Sequence, residues 1–235
     1  MDTEEVLNYV YTDNIEISMG GVNMGGKPNS SSGYHHGNLR EELIKKAIAT
    51  IEKKGVEALS LRGLAREIGV SHSAPMRHFP SRSALLTAIA QHGVDSLLGS
   101  ASKHVGRSDL TNLEKLQEMA KGYVTWATLN PAHHMLIRNQ DVMRHADDSL
   151  RSQLNSYAQL HEQTIAKAQA DGWRRDGATR AVFLHLTAQT AGLALVASDP
   201  IYETVFQGRP SDQEITDALS ACFTEVGSVA NISSG

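Results

Sequence analysis

His72, Ser73, Arg77 and His78 crowd into the segment LAREIGVSHSAPMRHFPSRSALL (residues 64–86), with Arg62 just upstream and Arg82 just beyond the first four. Imidazole, hydroxyl and guanidinium groups gathered this closely offer hydrogen bonds to base edges and phosphates, the chemistry of reading DNA. Catalysis is poorly served. No nucleophile elbow, phosphate-binding glycine loop or base–nucleophile set occurs, and the glycines of 20–26 have neither a strand before them nor a helix after. His133 and His134 are adjacent, so they point to different sides of a helix, and with His161 and His185 they lack His-x-x-x-His spacing or a carboxylate partner. We expect no metal, no cofactor and no enzymatic activity.

Helices must position these groups. Leu43, Ile44, Ala47, Ile48 and Ile51 recur at helical spacing, predicting a helix over about 37–54 that ends at Gly55. Ser60 caps a second, short helix with Leu61, Leu64, Ala65 and Ile68 on one face, closed by Gly69. Ser71 caps a third over 72–78, with Pro75 at about its fourth position, and Ser81 a fourth running from Arg82 towards Lys103. Ala65-x-x-x-Gly69 suits a helix-turn-helix, since alanine permits close approach and glycine a tight turn; any small helical bundle has similar spacings. The donors on the third helix favour a recognition helix, held by Val70, Ala74 and Phe79.

The stretch HGNLREELIKKAIATIEKKGVEALSLRGLAREIGVSHSAPMRHFPSRSALL resembles the DNA-binding domain of TetR/AcrR-type transcriptional regulators over about residues 35–92. YHHG, SHSAPMRHF and the later NPAHHMLIRN also resemble the subgroup with a WHG-type C-terminal domain. The resemblance implies base or phosphate contacts from His72, Ser73, Arg77 and His78, and phosphate contacts from Arg62 and Arg82, with the backbone N–H groups after Ser81 adding to the last. Many members have tyrosine, commonly touching phosphate, where this chain has Met76, which cannot donate a hydrogen bond. Tyr34, His35 and His36 form either a leading arm on the DNA or a plain flank.

Charge follows the same division. The whole chain of 235 residues carries −4, but residues 34–90 hold nine Lys and Arg against five acids, making them the only basic section. Residues 1–33, ending in MGGVNMGGKPNSSSG, read as a flexible leader or a non-native extension. Residues 34–90 read as the helix-turn-helix domain, 91–230 as a helical effector-binding and dimerisation domain, and 231–235 as a tail. Cys222 is the single cysteine, so no intrachain disulfide can form. The first residues are acidic where a signal peptide is basic, and no apolar run approaches the roughly 18 residues of a membrane span. We therefore expect a soluble cytoplasmic protein.

Beyond residue 105 the pattern stays helical. Capping boxes at Thr111/Glu114 and Ser211/Glu214 start two helices, Asn130-Pro131 separates two more, and others fit 147–170 and 176–197, so the fold class is all-α. The apolar stretch AVFLHLTAQTAGLALV and the last helix offer a surface for a homodimer, with Phe183, Leu186, Leu193, Leu219 and Phe223 assigned jointly to core and interface. The middle helices are expected to hold a small-molecule effector among Tyr123, Trp126, Met135, Met143, Tyr157, His161, His185 and Gln189, many of which equally suit ordinary core. The resemblance implies a repressor that an effector releases from a palindromic double-stranded operator. A helical interaction adaptor with a degenerate reading head is the alternative, and an enzyme a more distant one.

Overall fold

The computed structural model describes residues 39–198, 200–205 and 207–224. The leader, the flank at Tyr34, His35 and His36 and the tail lie outside them. Eleven α-helices and one 3-10 turn form among the described residues, with no strand.

Helix α1 (Leu39–Lys54) buries Leu43, Ala47, Ile48 and Ile51 along one stripe. It stops at Gly55, whose φ of +79° and ψ of 164° lie in a region open essentially to glycine alone, beyond the ordinary left-handed cap that the sequence suggests. A 3-10 turn (Val56–Ala58) leads to α2 (Leu61–Ile68), where Ser60 Oγ accepts from Gly63 N–H at 3.1 Å. Gly69 is left-handed at φ +80° and ψ 28°, and its N–H returns to the Ala65 carbonyl.

Helix α3 is shorter than its sequence predicts. It spans only Ala74–His78, because Ser71 through Ala74 form a turn in which Ala74 N–H reaches the Ser71 carbonyl. Pro75 thus falls in the first helical turn, where its missing N–H is not needed, and Ser73 rather than Ser71 occupies the cap position. His72 and Ser73 lie in the turn before the helix.

Helix α4 (Arg82–Gly106) is 25 residues long and begins where Ser81 Oγ accepts from Ala84 N–H. Against it pack α5 (Asn112–Leu129), α6 (Pro131–Leu136), α7 (Gln140–Arg144) and α8 (Asp148–Ala170). The chain then continues through α9 (Thr179–Ser198), α10 (Pro200–Val205) and α11 (Asp212–Phe223). Both capping boxes form, and Pro131 opens α6, as the sequence indicates. The short α7 and α10 carry no periodicity that would reveal them.

An apolar core joins five helices of the body. Leu97 of α4, Leu116, Val124 and Trp126 of α5, Ile165 and Ala168 of α8, Val182 and Leu186 of α9, and Leu219, Cys222 and Phe223 of α11 meet in it. Leu186, Leu219 and Phe223 are thus buried within the single chain, and Phe183 and Leu193 pack partly against the same core. Trp173 Nε1 donates to the Phe223 carbonyl at 3.0 Å and Arg174 Nη2 to the Cys222 carbonyl at 2.9 Å, satisfying acceptors that the end of α11 leaves open. At 20 residues α9 is long and apolar enough to cross a membrane by composition, contrary to the sequence expectation. It packs instead on α5 and α8 through a stripe containing Val182, Leu186 and Ala197.

Helix α4 approaches α6 closely at Gly93. A methyl group there would lie 2.8 Å from Cβ of His133 and 3.0 Å from its Cδ2, whereas one on Gly99 would meet nothing within 4 Å. Replacing a helical glycine with alanine normally stabilises by about 0.5–1 kcal/mol. We expect that gain for Gly99→Ala in chemical denaturation; Gly93→Ala should instead destabilise, because overpacking of about 1–3 kcal/mol outweighs it.

Candidate nucleic-acid interface

Pro75 and Phe79 are buried and anchor α3 to the head, with the Arg40 guanidinium 5.3 Å over the Phe79 ring. The opposite side of the turn and helix presents His72, Ser73, Met76 and Arg77 to solvent, while His78 is half-buried. Arg62 is exposed on α2. No hydrogen bond or ion pair holds Arg62, His72 or Arg77 among the described residues, and Ser73 Oγ lies 3.3 Å from Ser71 Oγ. Donors in this state are available to a partner, and the hydrogen-bonded turn together with the short helix that follows sets the spacing of His72, Ser73 and Arg77.

Arg82 behaves differently. Its Nε donates to the Leu59 carbonyl at 3.0 Å and its Nη2 to the Val56 carbonyl at 2.6 Å, joining the start of α4 to the link between α1 and α2. The ion pair with the exposed Glu57 at 3.6 Å adds little beside them. The family resemblance implies a phosphate ligand at Arg82; the clasp, which depends on carbonyls more than twenty residues away, has no local signal.

In the body, Tyr123 and His134 share a hydrogen bond of 3.0 Å between the phenol and Nε2. Trp126 stands edge-on to His134 at 6.2 Å between ring centres. Tyr157 packs on His161 at 4.5 Å, and His161 on Phe183 at 6.4 Å. Burial raises the pKa of both tyrosines and lowers that of His161, so this cluster carries neutral rings at pH 7. Gln189 Oε1 is buried without a partner on the inward stripe of α9. Met135, 44% exposed, and His185 lie on the surface, outside the cluster, because they occupy the outer faces of α6 and α9. Met143 lines a separate open hollow of about 420 Å³ with Gln140, Arg144 and Arg151. His134 also belongs to the aromatic cluster, a place its sequence spacing does not mark.

His133 and His134 diverge as adjacent helical residues must: one packs against Gly93 of α4, the other reaches Tyr123 of α5. No group of three metal-ligating side chains forms among the described residues.

Residues 43–89 match the family model for bacterial regulatory proteins of the tetR family. A solved protein of unknown function from Rhodococcus sp. RHA1 is 30% identical and superposes over 82% of this chain and 97% of its own with a TM-score of 0.67. The chain belongs to the TetR family. AibR, solved in complex with isovaleryl coenzyme A and operator DNA, shares the fold at 17% identity, with a TM-score of 0.62 over 78% of this chain and 97% of that one. The nucleoid occlusion factor SlmA of Marinobacter nauticus is 22% identical over 138 residues, 59% of this chain and 70% of that protein. Other SlmA proteins are matched over as little as 59% of their length. As a TetR-family member the chain is a DNA-binding transcriptional regulator.

Two outcomes follow. Arg82→Ala should lower stability by about 1–3 kcal/mol, removing the side-chain donor from the Leu59 carbonyl and leaving the Val56 carbonyl only the Leu59 N–H, while Arg77→Ala stays within about 0.5 kcal/mol of the parent in the same denaturation assay. Burial first, then the His92 or Arg138 charge, holds His133 and His134 at about 4 against an ordinary 6.5. The unfolded chain therefore binds protons that the folded one refuses, and stability should fall as pH drops from about 6.5 towards 4. A flatter decline in His134→Gln, measured by urea unfolding across that range, is the expected result.

Proposed function

We propose that this TetR-family protein is a dimeric repressor that reads a palindromic operator through Arg62, His72, Ser73, Arg77 and His78, and that a small molecule releases it. The observation that carries the proposal is the exposure of Arg62, His72 and Arg77, without partners among the described residues, on α2 and on the turn and short helix that the buried Pro75 and Phe79 anchor. Arg82 serves the reader chiefly by fixing α4 to the rest of the head.

The effector site is proposed at Tyr123, Trp126, His134, Tyr157 and His161, where neutral polar rings line an otherwise apolar interior and the orphaned Gln189 oxygen supplies an unused acceptor. AibR, with isovaleryl coenzyme A and operator DNA bound to one fold, supports pairing the two functions. The effector acts by its different affinity for two arrangements of the body, which α4 carries to the head. The WHG assignment of the body rests on the resemblance of YHHG, SHSAPMRHF and NPAHHMLIRN.

The dimer is proposed to form on the outer face of α9, where Ala181, Ala188 and Leu184, the last 54% exposed, face away from the core with Ala191 and Leu195 half-buried beside them. Small residues there let a second copy of the helix approach closely. A reader of this kind needs two half-sites about 34–36 Å apart, hence two heads.

Binding to duplexes selected from a random pool tests the reading. Arg77→Ala should cost about 1–3 kcal/mol of affinity, and parent binding should weaken steeply between 50 and 200 mM salt; salt-insensitive binding that ignores Arg77 would favour the adaptor. Leu184→Glu should yield a folded monomer in analytical ultracentrifugation.

A further inference from the structure

The head buries its large apolar side chains wholly or in part: Leu43, Ile51, Leu64 and Leu85 are at most 2% exposed, and Ile44, Leu61 and Ile68 are half-buried. Met76 alone among those of α1 to α4 is left out, at 58% exposure. It lies three residues after Ser73 and beside Arg77, exposed on the short helix that the buried Pro75 and Phe79 anchor. An exposed methionine is thus set among the polar groups that the proposed function assigns to DNA.

We infer that Met76 reads sequence, its side chain packing on the C5-methyl group of a thymine in each operator half-site. The inference rests on the DNA-reading assignment above. A thioether with no proton to donate gains nothing from a phosphate, and covering phosphate oxygens without offering a donor strips them of water at a cost. Among base edges in the major groove, the thymine methyl is the apolar group. Methionine's unbranched, polarisable chain adapts to such a surface. Where a tyrosine would grip the backbone, this chain exchanges a contact blind to sequence for one that distinguishes thymine.

The test replaces each thymine of the selected duplex in turn with deoxyuridine, which pairs identically but lacks the methyl, and compares the full-length parent with Met76→Ala. One position per half-site should lose about fourfold in affinity for the parent, the worth of one buried methyl group. The same replacement should leave Met76→Ala unaffected. Met76→Ala itself should melt like the parent, since the side chain touches solvent. Sequence-selective, Arg77-dependent binding with no sensitivity to deoxyuridine, or with equal loss in Met76→Ala, overturns the inference and leaves the DNA reading standing. Absence of any enriched duplex, with Arg77→Ala behaving as the parent, overturns both.

Discussion

One helix belongs to both halves of this protein, and the rest of the structure depends on how firmly each half holds it. At its start, α4 is fastened by two hydrogen bonds from Arg82 to carbonyls at Val56 and Leu59. Further along, Gly93 admits His133 of α6 to near contact, and Leu97 enters the core of the body. Because α4 is a continuous run of helix from Arg82 to Gly106, the Arg82 clasp and the Gly93 contact with α6 lie on one element. A close-packed contact of this type has little room to deform gradually.

The two ends of α4 differ in how their polar groups are used. In the head, Arg62, His72 and Arg77 are exposed and unpaired among the described residues, so DNA can engage them without breaking existing bonds. In the body, polar groups are enclosed: Tyr123 pairs with His134, His161 packs between Tyr157 and Phe183, and the Gln189 oxygen and Nε2 of His133 remain without partners. Unpaired buried atoms are costly and make an interior receptive to a donor. An external, charged reading surface and an internal, neutral one suit a polymer and a small molecule respectively.

Much of the architecture was legible from local chemistry. Ser60, Ser81, Thr111/Glu114 and Ser211/Glu214 announce helix starts because capping involves residues only three apart. Gly69 announces the turn before the reader through its backbone freedom. The start of α3 was misplaced because Ser71 and Ser73 are both competent caps, and only the turn closed by Ala74 N–H decides between them. The exposure of Met135 and His185, the clasp of Arg82 and the partnership of Tyr123 with His134 depend on helices brought together by the fold, so spacing alone could not reveal them. Likewise, Leu186, Leu219 and Phe223 fit core and interface equally well by pattern, and their burial within one chain separates them from Leu184.

The most direct test of this account is the mass of the complex formed with a duplex selected from a random pool, read together with the symmetry of its sequence. Two chains on an inverted repeat, with half-site centres separated by about one turn of DNA or a multiple of it, is the expected result. One chain on a site without internal symmetry, or a folded protein that selects no sequence at all, would contradict it.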